Sequence, residues 1–136
     1  MKNSKKTVEV LFALLCVLFY TNPTFAQQPK GDFKVTVKLD YGSVRASRDT
    51  VITSNRSLTA LEALQYAAKV ETNHVAQYVF ITAVDDVKGI IGVLAWYYEI
   101  NGQPATTLAI NTQLKNGDII RWIYKKDVCS GKAKCK

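Results

Sequence analysis

Apolar and polar side chains alternate over residues 33–39, which predicts a strand with one buried face and one solvent face. A weaker second strand is predicted within residues 44–53, where charged side chains are typical of a sheet edge. Residues 77–84 and 119–125 are rich in aromatic and β-branched residues, so they are predicted to be strands as well. We therefore expect a chain built mainly from strands.

Helical periodicity is found in one segment, which begins at Thr59. Thr59 and Glu62 fit a capping box, and Leu61 and Leu64 follow on one face. This pattern predicts an amphipathic helix that ends at about residue 70. Strands before and after a single helix predict an α+β fold, a mixed sheet with the helix packed on one face. The polar segment 71–76, which contains His74, is predicted to be a connection.

The stretch WYYEING, residues 96–102, ends a strand predicted at 94–100. Alternation along a strand assigns one set of side chains to the core, namely Trp96, Tyr98 and Ile100. The opposite face then carries Tyr97 and Glu99, which are our candidate ligand-binding residues. The dipeptide Asn101-Gly102 predicts a hairpin turn, because both positions favour positive φ angles.

The last predicted strand is apolar on both faces, which is typical of a central strand. Trp122 lies in it and is interpreted as a core residue rather than a contact residue. The preceding Gly117-Asp118 predicts a turn in which the aspartate hydrogen-bonds to the local backbone. A catalytic role for Asp118 would need a partner, and the sequence offers none.

Residues 1–26 have the pattern of a cleaved signal peptide: basic residues, a short apolar run, and a small-x-small site ending at Ala26. A membrane anchor is the alternative, but a spanning helix needs about 20 apolar residues. Lipidation of Cys16 is a second alternative. A lipidation motif has a small residue just before the cysteine, whereas two leucines precede Cys16. We expect an exported protein, periplasmic or secreted, with a short linker at 27–31, a domain at 32–126 and a tail at 127–136.

The net positive charge that follows residue 26 lies at the C-terminal end of the chain. Residues 27–120 contain nine basic and nine acidic residues, whereas residues 121–136 contain six basic residues and only Asp127 as an acid. Cys129 and Cys135 are the only cysteines after residue 26, so export predicts a disulfide between them. The lysines could contact an anionic surface or only aid solubility. Nucleic acid is disfavoured, because the protein is expected to be exported.

Several segments together resemble one known family: FKVTVKL, LTALEAL, YVFITAV, then W-x-Y-x-I-N-G and L-x-N-G-D-x-I-x-W-x-Y. The chain resembles the domain of unknown function (DUF4430-like) related to the C-terminal domain of transcobalamin and intrinsic factor, over roughly residues 32–126. The resemblance implies a β-grasp fold, a ubiquitin-like sheet wrapped over one helix. It also implies an exported binding domain, since the related domain caps a corrinoid held mainly by a larger helical domain.

Catalysis is disfavoured by the residue inventory. The chain has one histidine and no glycine-rich phosphate loop, so triads and phosphate cradles have no basis. His74 is either an axial ligand for cobalt or iron or a surface residue, and Asp85-Asp86 is typical of a solvated turn. Two hypotheses remain: a domain that binds a small molecule, with a cobalamin-like ligand as the specific case, and a protein-interaction module of the cell envelope that uses a strand edge or the basic tail.

Overall fold

Eight strands and two short helices make up residues 32–128, the part of the chain that the computed structural model describes. The strands are β1 (Phe33–Asp40), β2 (Arg48–Ser54), β3 (Val70–Val75), β4 (Tyr78–Val84), β5 (Val87–Lys88), β6 (Leu94–Ile100), β7 (Gln103–Pro104) and β8 (Ile119–Lys126). The helices are α1 (Ala60–Ala67) and a 3-10 helix at Ala109–Asn111. The predicted α+β class is confirmed. The signal peptide, the linker and the Cys129–Cys135 disulfide lie outside the described residues.

Five strands form the larger sheet in the order β2-β1-β8-β6-β7. The first and last strands, β1 and β8, run parallel at its centre, and each also pairs with an antiparallel neighbour. A parallel pair requires a long crossover, and here the whole segment between β1 and β8 supplies it. β1 and β8, which lie near the two ends of the described chain, are therefore neighbours in the centre of the sheet.

Alternation along the central strands builds the core on one face of this sheet. Its fully buried side chains include Val37, Leu39 and Leu64, and its large aromatic residues are Tyr41, Trp96, Trp122 and Tyr124. Tyr98 and Ile100 are partly buried against the same cluster. The structure thus places Trp96, Tyr98 and Ile100 on the core side of β6.

Helix α1 begins as its capping box predicts. The Thr59 hydroxyl accepts a hydrogen bond from the Glu62 N–H at 3.2 Å, and the Glu62 carboxylate accepts one from the Thr59 N–H at 2.8 Å. The helix ends at Ala67, earlier than predicted, because Ala68 is extended (φ −150°). Next along the chain, the Lys69 N–H donates to the Asp85 carboxylate at 3.0 Å, and the Asp85 N–H donates to the Lys69 carbonyl at 2.8 Å. These bonds turn the chain directly into β3.

A second sheet, in the order β3-β4-β5, was not predicted as such. The prediction that residues 71–76 are a connection is wrong, because Val70–Val75 pairs with β4 along its length. Its polar side chains fit an edge strand, which needs no alternating apolar face. Asp85 and Asp86 both have positive φ, at 47° and 67°, and form the two-residue turn from β4 to β5. Neither helix between residues 32 and 128 has the length and apolar composition of a membrane span.

Candidate functional site

Tyr97, a ligand-binding residue predicted from the sequence, is already engaged by its own chain. Its hydroxyl donates a hydrogen bond to the Asp127 carboxylate at 3.0 Å and accepts one from the Val128 N–H at 3.0 Å. The Lys125 ammonium lies 5.1 Å from the centre of its ring. Tyr97 therefore attaches the end of β8 to the neighbouring strand β6.

Glu99, the second predicted ligand-binding residue, belongs to a charged network on the outer face of the sheet. The Arg121 guanidinium lies 3.4 Å from Glu99 and 2.6 Å from Asp40. The N–H of Gly42 and then the Arg121 guanidinium hold the pKa of Asp40 below its usual value. These pairs are partly exposed, so each contributes at most about 1 kcal/mol. The charge of Glu99 is thus balanced within the sheet.

The polar residues of the two C-terminal motifs form two turns that are joined to each other. Asn101 and Gly102 have positive φ angles of 51° and 78° and connect β6 to β7. The Asn101 amide donates to the Asp118 carboxylate at 2.9 Å and accepts from the Ile119 N–H at 2.9 Å. Gly117 has a φ of 88°, and Asp118 also accepts a hydrogen bond from the backbone of its own turn. Asn101, Gly102, Gly117 and Asp118 therefore have structural roles.

The aromatic residues of the same motifs line a cleft of about 270 Å³ on the core side of β6 and β8. Tyr98 and Trp122 stack there, with ring centroids 4.8 Å apart and planes at 25°. We call this site the aromatic cleft, and its lining is Val79, Ile81, Trp96, Tyr97, Tyr98, Trp122 and residues 105–109. Trp96, Tyr98 and Trp122 are brought together, whereas Glu99 is not part of the lining.

Hydrogen bonds hold residues 105–109 against the cleft. The Tyr98 hydroxyl donates to the Thr107 carbonyl at 2.7 Å and lies 2.8 Å from the Thr112 hydroxyl. The Thr112 hydroxyl in turn donates to the Leu108 carbonyl at 3.0 Å. The Ala105 N–H donates to the Tyr98 carbonyl at 3.1 Å. Residues 105–109 therefore form one wall of the aromatic cleft. Hydrogen bonds attach this loop to Tyr98, which forms another wall.

The two tryptophans of the cleft differ in the hydrogen bonding of their indole N–H groups. The Trp96 N–H donates to the Val87 carbonyl at 2.9 Å. Trp122 is 1% exposed, and its N–H has no hydrogen-bond partner among the described residues. Leaving such a donor unsatisfied costs about 1–3 kcal/mol.

A second pocket, of about 380 Å³, is lined by polar residues at the end of β1. Asp85 sits in it and accepts hydrogen bonds from the Tyr41 hydroxyl and from Arg48 at 2.6 Å. Burial raises the pKa of Asp85, but the bonds from Tyr41 and the Lys69 N–H and the Arg48 charge outweigh it, so the pKa is lowered. Burial, followed by the Asp85 carboxylate, raises the pKa of Tyr41. These groups satisfy one another and connect β1, β2, α1 and the β4–β5 turn.

Metal chemistry finds no support in the arrangement of side chains between residues 32 and 128. Within that range, no group of three or more His, Cys, Asp or Glu residues could hold a metal ion. His74, the candidate axial ligand, lies exposed on β3.

Residues 57–126 of the 136 match the family described as Domain of unknown function (DUF4430). The chain belongs to the DUF4430 family. The match begins just before α1 and ends with β8, so it includes both aromatic motifs. No curated protein matches this DUF4430 chain.

Two solved structures are similar to this DUF4430 domain. A proposed metal-binding protein from Ruminococcus gnavus aligns with a TM-score of 0.60 and 19% identity, over 70% of this chain and 98% of that one. Haptocorrin in complex with Cbi aligns with a TM-score of 0.62 and 13% identity, over 73% of this chain and 26% of haptocorrin. At these identities the likeness establishes a shared fold. The DUF4430 chain corresponds to about a quarter of haptocorrin's length.

Sequence reasoning identified the motif aromatic residues but not the cleft that they form. It treated Trp96, Tyr98 and Trp122 as core and placed the ligand on the other face. The wall at residues 105–109 has no periodic pattern that predicts its position. The available signal was the set of aromatic residues on one face of two strands: Trp96, Tyr98, Trp122 and Tyr124.

Proposed function

We propose that this domain is a non-catalytic, exported binding protein that holds a small molecule in the aromatic cleft. The observation that carries the proposal is the buried, unpartnered N–H of Trp122 beside the stacked ring of Tyr98. Ligand sites are typically mostly apolar, with a few polar groups that orient the ligand. The favoured ligand therefore has a flat apolar part and a neutral acceptor such as an amide or carbonyl oxygen.

The size of the cleft limits what it can enclose. Ligand pockets usually occupy about 300–1,000 Å³, and the aromatic cleft has about 270 Å³. A compact ring would fill it, whereas a corrinoid-like ligand would contact it only along an edge. The similarity to haptocorrin, seen in complex with Cbi, keeps the corrinoid among the ligands to test.

We also propose that the fold is a β-grasp variant. Support comes from the parallel β1–β8 pair at the centre of the sheet, with β2 beside β1, β6 beside β8, and α1 against one face. The sheet of β3, β4 and β5 is then an addition to that plan. It supplies Val79 and Ile81 to the aromatic cleft.

The binding proposal is tested by tryptophan fluorescence, because Trp96 and Trp122 are the only tryptophans in the chain and both line the cleft. The purified protein is titrated with a corrinoid, with haem and with small aromatic amides. We expect Trp122→Phe to weaken binding of a responding ligand by about five- to tenfold, the loss of one hydrogen bond. Thermal melts establish that each variant is folded.

Glu99→Gln is the matched control, because Glu99 lies on the opposite face of β6 and is not part of the lining. If Glu99→Gln weakens binding and Trp122→Phe does not, the ligand lies on the outer face that the sequence predicted. If no ligand of the panel changes the fluorescence, and protein purified from its native host carries no absorbing ligand, the small-molecule proposal fails.

Export and the Cys129–Cys135 disulfide complete the proposal. They rest on the signal-like pattern of residues 1–26 and on the cysteine count. Intact mass of protein from the native host should correspond to a chain that begins at Gln27. Titration of the denatured protein should find no free thiol.

A second candidate function is protein interaction at the exposed hairpin of β3 and β4. Tyr78 and Phe80 are 45% and 46% exposed, with ring centroids 6.3 Å apart, and Val75 lies nearby on the paired strand. Exposed aromatic residues are enriched at protein interfaces. A pull-down from envelope extract tests this function. If Phe80→Ser loses a partner that the parent chain captures, while its ligand binding is unchanged, protein interaction is favoured over small-molecule binding.

A further inference from the structure

The loop between β5 and β6 exposes three aliphatic side chains to solvent. Ile91 is 90% exposed, and Ile90 and Val93 are each about half exposed. Val128 is also exposed, and it lies beside them because the Asp127 N–H donates to the Val93 carbonyl at 2.9 Å. We call these four residues the aliphatic tip: Ile90, Ile91, Val93 and Val128.

The aliphatic tip is held in place by a buried carboxylate. Asp127 is 8% exposed and accepts a hydrogen bond from the Gly92 N–H at 3.0 Å. Gly92 has a φ of 75°, which favours glycine. Ile90 and Leu94 exchange two backbone hydrogen bonds, at 2.7 and 2.9 Å, that close the loop. The exposure of the apolar side chains is therefore built into the structure of the loop.

Two basic residues flank the aliphatic tip. Lys88 lies just before the loop, and Lys126 is paired in register with Leu94. The only acidic group that pairs with Lys88 among the described residues is Glu71, at 3.7 Å. The eight residues after Val128 add three lysines and no acid in sequence. Asp127, the one acid within this end of the chain, is buried.

We propose that the aliphatic tip docks this domain on an anionic lipid bilayer, with the side chains in the interfacial region and the lysines at the headgroups. Apolar insertion and basic residues together give stable peripheral binding, where either alone is weak. A protein partner fits less well, because protein interfaces favour aromatic and arginine anchors, and the tip contains only β-branched aliphatic residues. The occupant that the chemistry favours is therefore an anionic membrane surface.

Vesicle co-sedimentation tests the proposal with the chain that begins at Gln27. The described residues, 32–128, lie in one compact unit, and the apolar run before Ala26 would bind lipid by itself. Vesicles of equal phosphatidylglycerol and phosphatidylcholine are compared with vesicles of phosphatidylcholine alone. We expect binding to the anionic vesicles that weakens as salt is added, because salt screens the lysines.

Two variants and one matched control separate insertion from charge attraction. Ile91→Asp should lower partition into the anionic vesicles at least tenfold, since burial of one isoleucine is lost. Lys88→Gln with Lys126→Gln should lower it about fivefold per lysine. Val44→Asp, at a loop position that is 59% exposed elsewhere, should bind as the parent does. Circular dichroism melts establish that all variants fold.

Two results would overturn the proposal. If the parent chain binds neither type of vesicle, the tip is not a lipid-docking surface. If Ile91→Asp binds as tightly as the parent, the lysines alone attract the membrane and no insertion takes place. Neither result bears on the small-molecule proposal. Trp122→Phe, which changes the aromatic cleft, is expected to bind vesicles as the parent does.

Discussion

At the residue scale, Tyr97 shows how one hydroxyl can join distant parts of the chain. It donates to Asp127 and accepts from the N–H of Val128, and the same Asp127 accepts a hydrogen bond from Gly92. A buried carboxylate is costly unless its oxygens are hydrogen-bonded. The Tyr97 hydroxyl therefore supports the C-terminal end of β8 and, through Asp127, the loop before β6.

Tyr97→Phe should destabilise the domain by about 1–3 kcal/mol, because the buried Asp127 carboxylate loses one of its donors. The melting temperature should fall by roughly 4–8 °C for each kcal/mol in a domain of this size. Tyr66→Phe is the matched control, since Tyr66 is 64% exposed, and such a change usually stays within about 0.5 kcal/mol. Equal melting temperatures for the two variants would show that the Tyr97 hydroxyl adds no stability.

The sequence predicted which face of β6 each side chain occupies, because a strand alternates with a period of two. It could not predict that Tyr97 reaches Asp127, which lies 30 residues further along the chain. Nor could it predict that Trp96 finds a carbonyl partner and Trp122 does not. Those differences depend on how β5, β6 and β8 pack together, which no local pattern encodes.

At the element scale, α1 depends on its first turn. Its capping box is extended by Arg56, whose guanidinium lies 2.8 Å from the Glu62 carboxylate. The hydrogen bond from Arg56 and then that from the Thr59 N–H lower the pKa of Glu62 to about 2, from a usual 4.5. The helix has only eight residues, too short to be stable alone. Capping and packing on the sheet must therefore stabilise it together.

The Glu62 shift predicts a pH dependence of stability. Because the folded-state pKa is lowered, the stabilisation is full above about pH 4.5 and is lost as the pH falls towards about 2. The pair is partly exposed, so we expect its contribution to be only about 1 kcal/mol. Glu62→Gln should melt below the parent at neutral pH, and thermal melts should show the gap closing as the pH approaches about 2. A gap that stays constant with pH would contradict this origin.

Elements with a strong local pattern were predicted closely, and those without one were not. β6 was predicted at its observed bounds, because alternation and the Asn101-Gly102 turn both mark it. β3 was missed, because VETNHV has few apolar residues and lies at a sheet edge. Its strand conformation comes from pairing with β4, a tertiary effect that outweighs local preference.

At the scale of the whole molecule, the centre of the larger sheet joins the beginning and the end of the domain. β1 and β8 are parallel neighbours, and their inward side chains are almost fully buried. Such a pair cannot form until the chain between the two strands has been brought together, which makes folding slower than for local pairings. The three-stranded sheet, by contrast, consists of two local hairpins.

This difference predicts two levels of protection from hydrogen exchange. Hydrogen-bonded amides of β1 and β8, such as those near Val37 and Ile120, should exchange only when the whole domain unfolds, because their side chains are 0% exposed. Those of β3 should exchange through local opening, since β3 is an edge strand whose last three side chains are exposed. Native-state exchange with increasing denaturant should place β3 at least about 2 kcal/mol below the central pair. If β3 exchanges at the same free energy as β1, the two sheets unfold as one cooperative unit. β4 supplies Val79 and Ile81 to the aromatic cleft. In that case, this wall of the cleft would open no more readily than the walls formed by β6 and β8.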